Sequence, residues 1–438
     1  MIDDASPHWS PHASLHARHR EVMPTWMSLS YDQPIEIVSG SGVRVTDGEG
    51  RTYLDFFAGI LTNMLGYDVP EVRDAVEQQL GTGVVHTSTL YLIRQQVDLA
   101  EKIARLSGIP DAKVFFTASG TEANEAALLI ATQYRRSNQV IALRNSYHGR
   151  TFATTGITGN RGWSASALSP LNVIYAQSGY RLRSSFAGLD DRAYIDACVR
   201  DLRELMATAT AGDVACMIAE PIQGVGGFAV PPDGLFAAYQ EVLDETGILF
   251  VSDEVQTGWG RTGEHFWGIG AHGVTPDAMT FAKGLGNGTS IGGVVARGEV
   301  MDCLAANSIS TFGGNPLSAA AANATLDYVL DHDLQRHCAA VGKLLMDGLQ
   351  ALSADLPYVA EVRGRGLMIG LELVGGDGYT PDPKAAAAVL EAARERGLLI
   401  GKGGLYGNCL RLAPPMTLTE ADAREGMAAL VDALRACA

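Results

Sequence analysis

Three observations predict an α/β fold: a seven-stranded, mostly parallel sheet flanked by helices, with a smaller α+β unit formed by both chain ends. Short apolar runs recur at 114–116, 140–143, 173–175, 214–219, 248–251, 278–282 and 291–296, most of them separated by helix-length segments. The first segment and the last third break that rhythm with hairpin and amphipathic-helix patterns. At 438 residues the chain is too long for one simple core, so two units are expected.

Residues 1–30 read as an N-terminal arm. His8, His12, His16 and His19 have a spacing that suits one helix face and a metal, but Pro7 and Pro11 interrupt it, and polar termini commonly drape over a surface or partner. From about residue 35, PIEIVSGSGVRVTDGEGRTYLDF alternates apolar and polar positions around Asp47-Gly48 and Glu49-Gly50, as antiparallel hairpins do, and opens the small unit over 31–70. The seven runs belong to a large unit over 71–318. Residues 319–438 complete the small unit. There an alanine-rich helix from about Pro316 to Leu330 leads into VRGRGLMIGLELV, read as one strand. A helix after Pro383, short strands in LLIGKG and CLRLAP, and a final amphipathic helix capped near Thr419-Glu420 follow.

Composition narrows the function. With 47% hydrophobic and 19% charged residues this is an ordinary globular chain, and its net charge of −16 leaves no basic excess for nucleic acid. The six cysteines show no CxxC and no dense spacing, which fits reduced thiols and no metal, with the cytoplasm as the default compartment. The first twenty residues lack the apolar core of a secretory signal, and no apolar run is long enough to span a membrane.

Two polar residues that end apolar runs carry the chemistry: Asp253 in ILFVSDEVQTG and Lys283 in AMTFAKGLGNG. A lysine at a buried strand end can lose its proton by desolvation and form a Schiff base, and a buried carboxylate can keep a pyridinium nitrogen protonated. That pair suggests pyridoxal phosphate, although each residue alone also fits a solvated strand boundary. VFFTASGTEANEAALLIA passes from strand to helix at Ser119-Gly120-Thr121, where amides and a hydroxyl can hold a phosphate or simply cap the helix. No GK[ST] and no GxGxxG accompany it, which disfavours a nucleotide. NSYHGRT offers Tyr147 as a ring to lie over a planar cofactor and Arg150 as a carboxylate ligand; His148 reads as structural. Glu220 in IAEPIQGVGG and Arg411 in CLRLAPPMTL form either a movable pair over a substrate or a static salt bridge.

Taken together, SGTEANEAA, YHGRT, EPIQG, DEVQTGWGRTG, PDAMTFAKGLGNG, TFGGNPL, VRGRGLMIGLEL and LRLAPPMTLTE resemble, in order, the blocks of the class III, fold-type I pyridoxal-phosphate aminotransferases. The 4-aminobutyrate, acetylornithine and alanine:glyoxylate type 2 enzymes are of this kind. The resemblance runs from about residue 30 to the end.

It implies that Lys283 carries the Schiff base and moves the substrate proton, and that Asp253 pairs with the pyridine nitrogen. Gln256 would bond the phenolic oxygen, Val255 and Tyr147 would lie on the two ring faces, and Ser119, Gly120 and Thr121 would cradle the phosphate. Thr311, in STFGGNP, would reach that phosphate from a second subunit and Tyr91, in HTSTLY, would line the partner's site, making a homodimer with shared sites. Arg150 matches the carboxylate-recognising arginine of the 4-aminobutyrate and acetylornithine enzymes. Arg411 matches the α-carboxylate arginine, shielded by Glu220 when the donor is an ω-amine.

Ile60 stands where the related dialkylglycine decarboxylases have a glutamine, which favours transamination. Tyr67-Asp68 replaces a histidine-containing turn, and the stretch with Tyr180, Arg181 and Arg183 matches no substrate block. The expected activity is ping-pong transfer of an amino group from an ω-amino acid or terminal amine to a 2-oxo acid, 2-oxoglutarate before pyruvate. A racemase or aminomutase on the same scaffold, or a non-catalytic cofactor-fold subunit, are the alternatives.

Overall fold

Each of the seven central runs forms a strand, and the sheet they build carries the candidate site along one edge. The computed structural model describes residues 14–166 and 168–438, so His8 and His12 lie outside the described residues. The strands are β4 (Ala112–Thr117), β5 (Gln139–Leu143), β6 (Asn172–Ala176), β7 (Cys216–Ala219), β8 (Leu249–Asp253), β9 (Ala278–Phe281) and β10 (Gly292–Arg297). Their spatial order is β4-β10-β9-β8-β7-β5-β6, and β10 runs antiparallel to both its neighbours while the other pairs are parallel. β7, β8 and β9 are buried at every position, because helices cover both faces of a parallel sheet and leave no solvent side for alternation.

Local signals set the helices that position the site. Ser119 caps the helix Gly120–Arg135 by accepting a hydrogen bond from the Glu122 amide at 3.3 Å, and Arg136 ends it in the left-handed region. Asn315 caps Pro316–Asp331, with the proline at a first-turn position where a missing N–H costs nothing. Thr419 caps Glu420–Ala436 in the same way.

The chain ends meet as expected. A small sheet is made of β1 (Ile37–Ser41), β2 (Arg44–Asp47) and β3 (Thr52–Asp55) from the N-terminal segment and β13 (Leu398–Leu399) from the C-terminal one. Leu398 pairs in parallel with Leu54. A second sheet contains β11 (Val359–Arg365), β12 (Met368–Leu373), β15 (Cys409–Leu412) and β14 (Gly401–Gly403). VRGRGLMIGLELV is therefore a hairpin and not one strand, turning at Gly366-Leu367, and a twenty-residue helix, Leu334–Ser353, precedes it where the sequence reading placed none. His16 and His19 lie on the helix Leu15–Val22, none of whose residues is buried. No helix among the described residues is long and apolar enough to cross a membrane.

The hairpin turn is locked against the large sheet. Gly366 has φ +51, and a Cβ there would stand 2.4 Å from the Arg261 carbonyl oxygen and 2.5 Å from the Thr262 carbonyl carbon. Gly366→Ala is expected to lower stability by about 1–3 kcal/mol through strain and overpacking, read as a lower urea midpoint at unchanged slope.

Candidate active site

The C-terminal ends of β4, β5, β7, β8 and β9 converge on a cavity of about 410 Å³, where open α/β sheets bind ligands. Ser119, Gly120, Thr121, Tyr147, Arg150, Glu220, Asp253, Val255, Gln256 and Lys283 all line it.

Asp253 ends β8 with its carboxylate buried, so it needs donors. Oδ2 accepts from Asn124 Nδ2 at 2.8 Å and lies 2.7 Å from His148 Nδ1, while Oδ1 accepts from the Val255 amide at 3.2 Å. Asn124 in turn donates to the His148 carbonyl and accepts from Thr280 Oγ1 at 2.7 Å, on the strand that leads to Lys283. His148 is thus a partner of the site carboxylate and not merely a structural residue. Its Nε2 is buried and unpartnered among the described residues. Neither Asn124 nor His148 was singled out as functional, although both stand inside quoted blocks: Asn124 lies one turn into the helix that Ser119 caps, facing the strand ends.

Lys283 follows β9 in a left-handed conformation, φ +45, and is half-buried where it lines the cavity. Such a conformation is uncommon for a non-glycine residue and concentrates at functional sites. Lys283 makes no ion pair among the described residues. Desolvation pulls its amine from the ordinary 10.5 down to about 8. Arg411 pushes in the same direction, against the smaller opposing pull of Asp253 and Glu220.

Gly120 brings the helix start close to the ring-binding wall: a Cβ there would meet both Val255 methyl carbons at 3.1 Å. As the first residues of their helix, Gly120 and Thr121 have amides without intrahelical acceptors. Thr121 Oγ1 is already engaged, with Thr151 at 3.1 Å, Thr154 at 3.0 Å and the Arg150 amide at 3.1 Å, and so ties YHGRT to that helix. Gly149, φ +137, permits the approach, because a Cβ would sit 2.3 Å from that hydroxyl.

Glu220 and Arg411 do not form a salt bridge. Glu220 accepts from the Tyr147 amide at 2.8 Å and the Gly224 amide at 2.9 Å, and burial raises its carboxyl's proton affinity, with nearby His148 opposing and Asp253 reinforcing the shift. Arg411 donates to the Gly224 and Lys402 carbonyls at 3.1 and 3.0 Å, stacks on Phe57 at 4.8 Å, and keeps a buried Nε unpartnered. Burial lowers its guanidinium to about 10, still charged at neutral pH.

Two residues expected at this chain's own site, Ile60 and Arg411, are not among those that line the cavity, while the resemblance assigns Tyr91 and Thr311 to a partner's site. Ile60 is 45% exposed and lines a neighbouring groove, because the backbone from Ala58 to Leu61 coils through positive φ; Thr62 faces the cavity instead. Tyr91 and Thr311 are exposed and outside this chain's cavity.

The family model for class-III aminotransferases matches residues 27–434. The chain belongs to that family. An alanine–glyoxylate aminotransferase 2 homolog from Arabidopsis thaliana is 39% identical over 95% of this chain and 86% of its own. The acetylornithine aminotransferase of Mycobacterium tuberculosis is 38% identical over 95% of each. Among solved structures, an amine transaminase from an uncultivated Pseudomonas species in its PLP-bound form superposes with TM-score 0.88 at 31% identity, over 99% of each chain. The protein is therefore a pyridoxal-phosphate-dependent, fold-type I aminotransferase.

The residues present fit that cofactor. Gln256 lines the cavity with its side-chain amide in no hydrogen bond among the described residues, which leaves Nε2 free to donate; the amides at the Gly120 helix start can hold an anion, and the Asp253 network can hold a cationic ring nitrogen.

Two outcomes are expected of the aminotransferase. In the cofactor-free protein Lys283 should react with an amine-selective reagent through a midpoint near pH 8. The sign follows from desolvation: a depressed value leaves about half the amine neutral at pH 8, against about 0.3% for an ordinary lysine. Peptide mapping of the modified lysine across pH measures it. Asn124→Ala leaves the buried Asp253 oxygen short of a donor and should cost roughly 1–3 kcal/mol of stability by denaturant titration.

Proposed function

We propose that this aminotransferase moves an amino group from an ω-amino acid or terminal amine to a 2-oxo acid, 2-oxoglutarate first and pyruvate second, by a ping-pong cycle in a cytoplasmic homodimer. The observation that carries the reading is Arg411. Among the described residues it is a buried cation with an unused Nε and no acid paired to it, near enough to Lys283 to depress that residue's proton affinity. A substrate carboxylate is the group that such a guanidinium is short of. Arg150 lines the cavity itself, and with Arg411 behind it in the C-terminal sheet the two cations suit a dicarboxylate; the Arg150 guanidinium stacks on Trp26 at 5.5 Å. Glu220 keeps its proton more readily than an exposed carboxyl and shields Arg411 when the donor brings no carboxylate. The printed names of the relatives, alanine–glyoxylate and acetylornithine aminotransferases, support an amine donor paired with an oxo acid.

When bound, pyridoxal phosphate supplies a carbonyl that captures amines and a ring that withdraws the electrons released at the substrate carbon. Lys283, its proton affinity lowered by desolvation, would be the attachment point, and its Nζ would take and return the proton at that carbon. Asp253, oriented by His148 and Asn124, would hold the proton on the ring nitrogen. The Gly120 and Thr121 amides, with Ser119 capping the helix, would hold the phosphate. Val255 and Tyr147 would hold the ring, and Gln256 would donate to the phenolic oxygen.

The dimer rests on an exposed apolar face that joins Leu90, Tyr91 and Leu92 to Phe312, whose ring meets His86 at 4.9 Å. A second copy seated there brings its Thr311 and Tyr91 to the neighbouring cavity. Racemisation or turnover of an amine without any added 2-oxo acid would select the racemase or aminomutase reading.

The test is a spectroscopic half-reaction screen of amines on the cofactor-loaded enzyme. ω-Amino acids and terminal amines should bleach the visible cofactor band, and 2-oxoglutarate should restore it. Arg411→Ala and Arg150→Ala should each lower kcat/KM for that restoring step by roughly tenfold or more. Unchanged values would refute the carboxylate assignments.

A further inference from the structure

Tyr180 and Arg183, which match no substrate block, meet the C-terminal sheet at a buried carboxylate. Glu372 of β12 is fully buried and accepts from the Tyr180 hydroxyl, from Arg183 Nε at 2.7 Å and from Arg363 Nη1 at 2.7 Å. A charge at that depth persists only when opposite charges and donors surround it. Arg363, itself 7% exposed, carries the network onward to backbone: its Nε and Nη2 donate to the single carbonyl of Gly227 at 3.2 and 2.9 Å.

Gly227 closes the turn that begins at Glu220. Within that turn the Gly224 amide donates to Glu220 Oε2 at 2.9 Å, and the Gly224 carbonyl accepts from Arg411 Nη1 at 3.1 Å. The turn has no slack. Gly227 lies at φ +92, where a Cβ would stand 2.7 Å from Cys409 Sγ, and a Cβ on Gly370 would stand 2.5 Å from the Gly227 oxygen. A shift of Gly227 is therefore a shift of the seat of Arg411.

We propose that Arg363 is a positioning residue for substrate-carboxylate recognition: held by Glu372, which Tyr180 and Arg183 fix in turn, it fixes the Gly227 carbonyl and thereby the turn that seats Arg411. The proposal rests on the reading of Arg411 as the carboxylate anchor. The planar guanidinium is what the geometry uses, since it bonds Glu372 on one edge and one carbonyl on the other; a lysine keeps the charge and loses the fork.

The experiment compares Arg363→Lys, Tyr180→Phe and Arg411→Ala in the full-length, cofactor-loaded enzyme. Arg363→Lys should raise KM for 2-oxoglutarate about fivefold or more while kcat stays within about twofold, the signature of lost binding and not of lost chemistry. An unchanged KM in Arg363→Lys beside a raised KM in Arg411→Ala overturns the proposal and leaves the Arg411 reading standing. An unchanged KM in Arg411→Ala overturns that reading and the proposal with it. Should Arg363→Lys not accumulate as folded protein, Tyr180→Phe decides, because it removes only the hydroxyl on Glu372. KM for 2-oxoglutarate should then rise about twofold, and no rise overturns the proposal.

Discussion

A carboxylate at the buried end of a strand constrains everything around it, and Asp253 does so here by needing donors that its own strand does not supply. The donors come from three directions: Asn124 from the helix after β4, His148 from the loop after β5, and the Val255 amide from the turn after β8. Because Asn124 also accepts from Thr280 of β9, the same few hydrogen bonds fix the relative positions of four strand ends. The helix start at Ser119-Gly120-Thr121 and Lys283 are near neighbours along two of those elements. The placing of the cavity walls is thus tied to satisfying one buried charge.

Around that fixed centre the cavity balances unlike effects, and magnitude decides the outcome. Asp253 and Glu220 favour a protonated Lys283, while desolvation, the largest effect, and Arg411 together outweigh them and bring the amine down to about 8. Arg411 is subject to the same desolvation and yet stays charged, since its guanidinium begins much higher. One buried cation therefore gives up its proton readily and the other does not. That difference is what the proposed roles need, covalent work from Lys283 and recognition of charge by Arg411.

Much of the fold was legible because strands buried on both faces, as β7, β8 and β9 are, appear as short apolar runs, and the antiparallel β10 and the edge strands β4 and β6 keep enough apolar residues to read the same way. The hairpin at Gly366 was not, because its turn is only Gly366-Leu367, and with Gly364 and Gly370 beside it that glycine reads as one more interruption of a single strand. The helix Leu334–Ser353 escaped for a related reason. Its Gly342 weakens the local helix signal, yet a Cβ there would stand 2.3 Å from the Gly366 oxygen, so the glycine reflects tertiary packing that no local window contains. Lys283, Asp253 and the phosphate-side residues end recognisable strands and could be located from the sequence. His148 and Asn124 act on Asp253 across more than a hundred positions of chain, and only the folded sheet shows that they meet it. Ile60 failed where backbone handedness intervened: a run of positive φ turns it into the adjacent groove and gives Thr62 the cavity.

The division between what was legible and what was not follows a division of labour. Asp253 and Lys283 sit at strand ends whose register is fixed by paired backbone on both sides. Arg411 stands on a short strand of the second sheet and depends on a turn carbonyl, Gly224, for its aim, while Arg150 lies exposed on a loop and stacks on the N-terminal segment. On the proposed reading, small displacements of those supports would change which carboxylate fits without disturbing the Asp253 network. A family built this way can keep its proton chemistry constant while its substrates diverge, because the groups that choose the substrate are held by turns and those that transform it are held by the sheet.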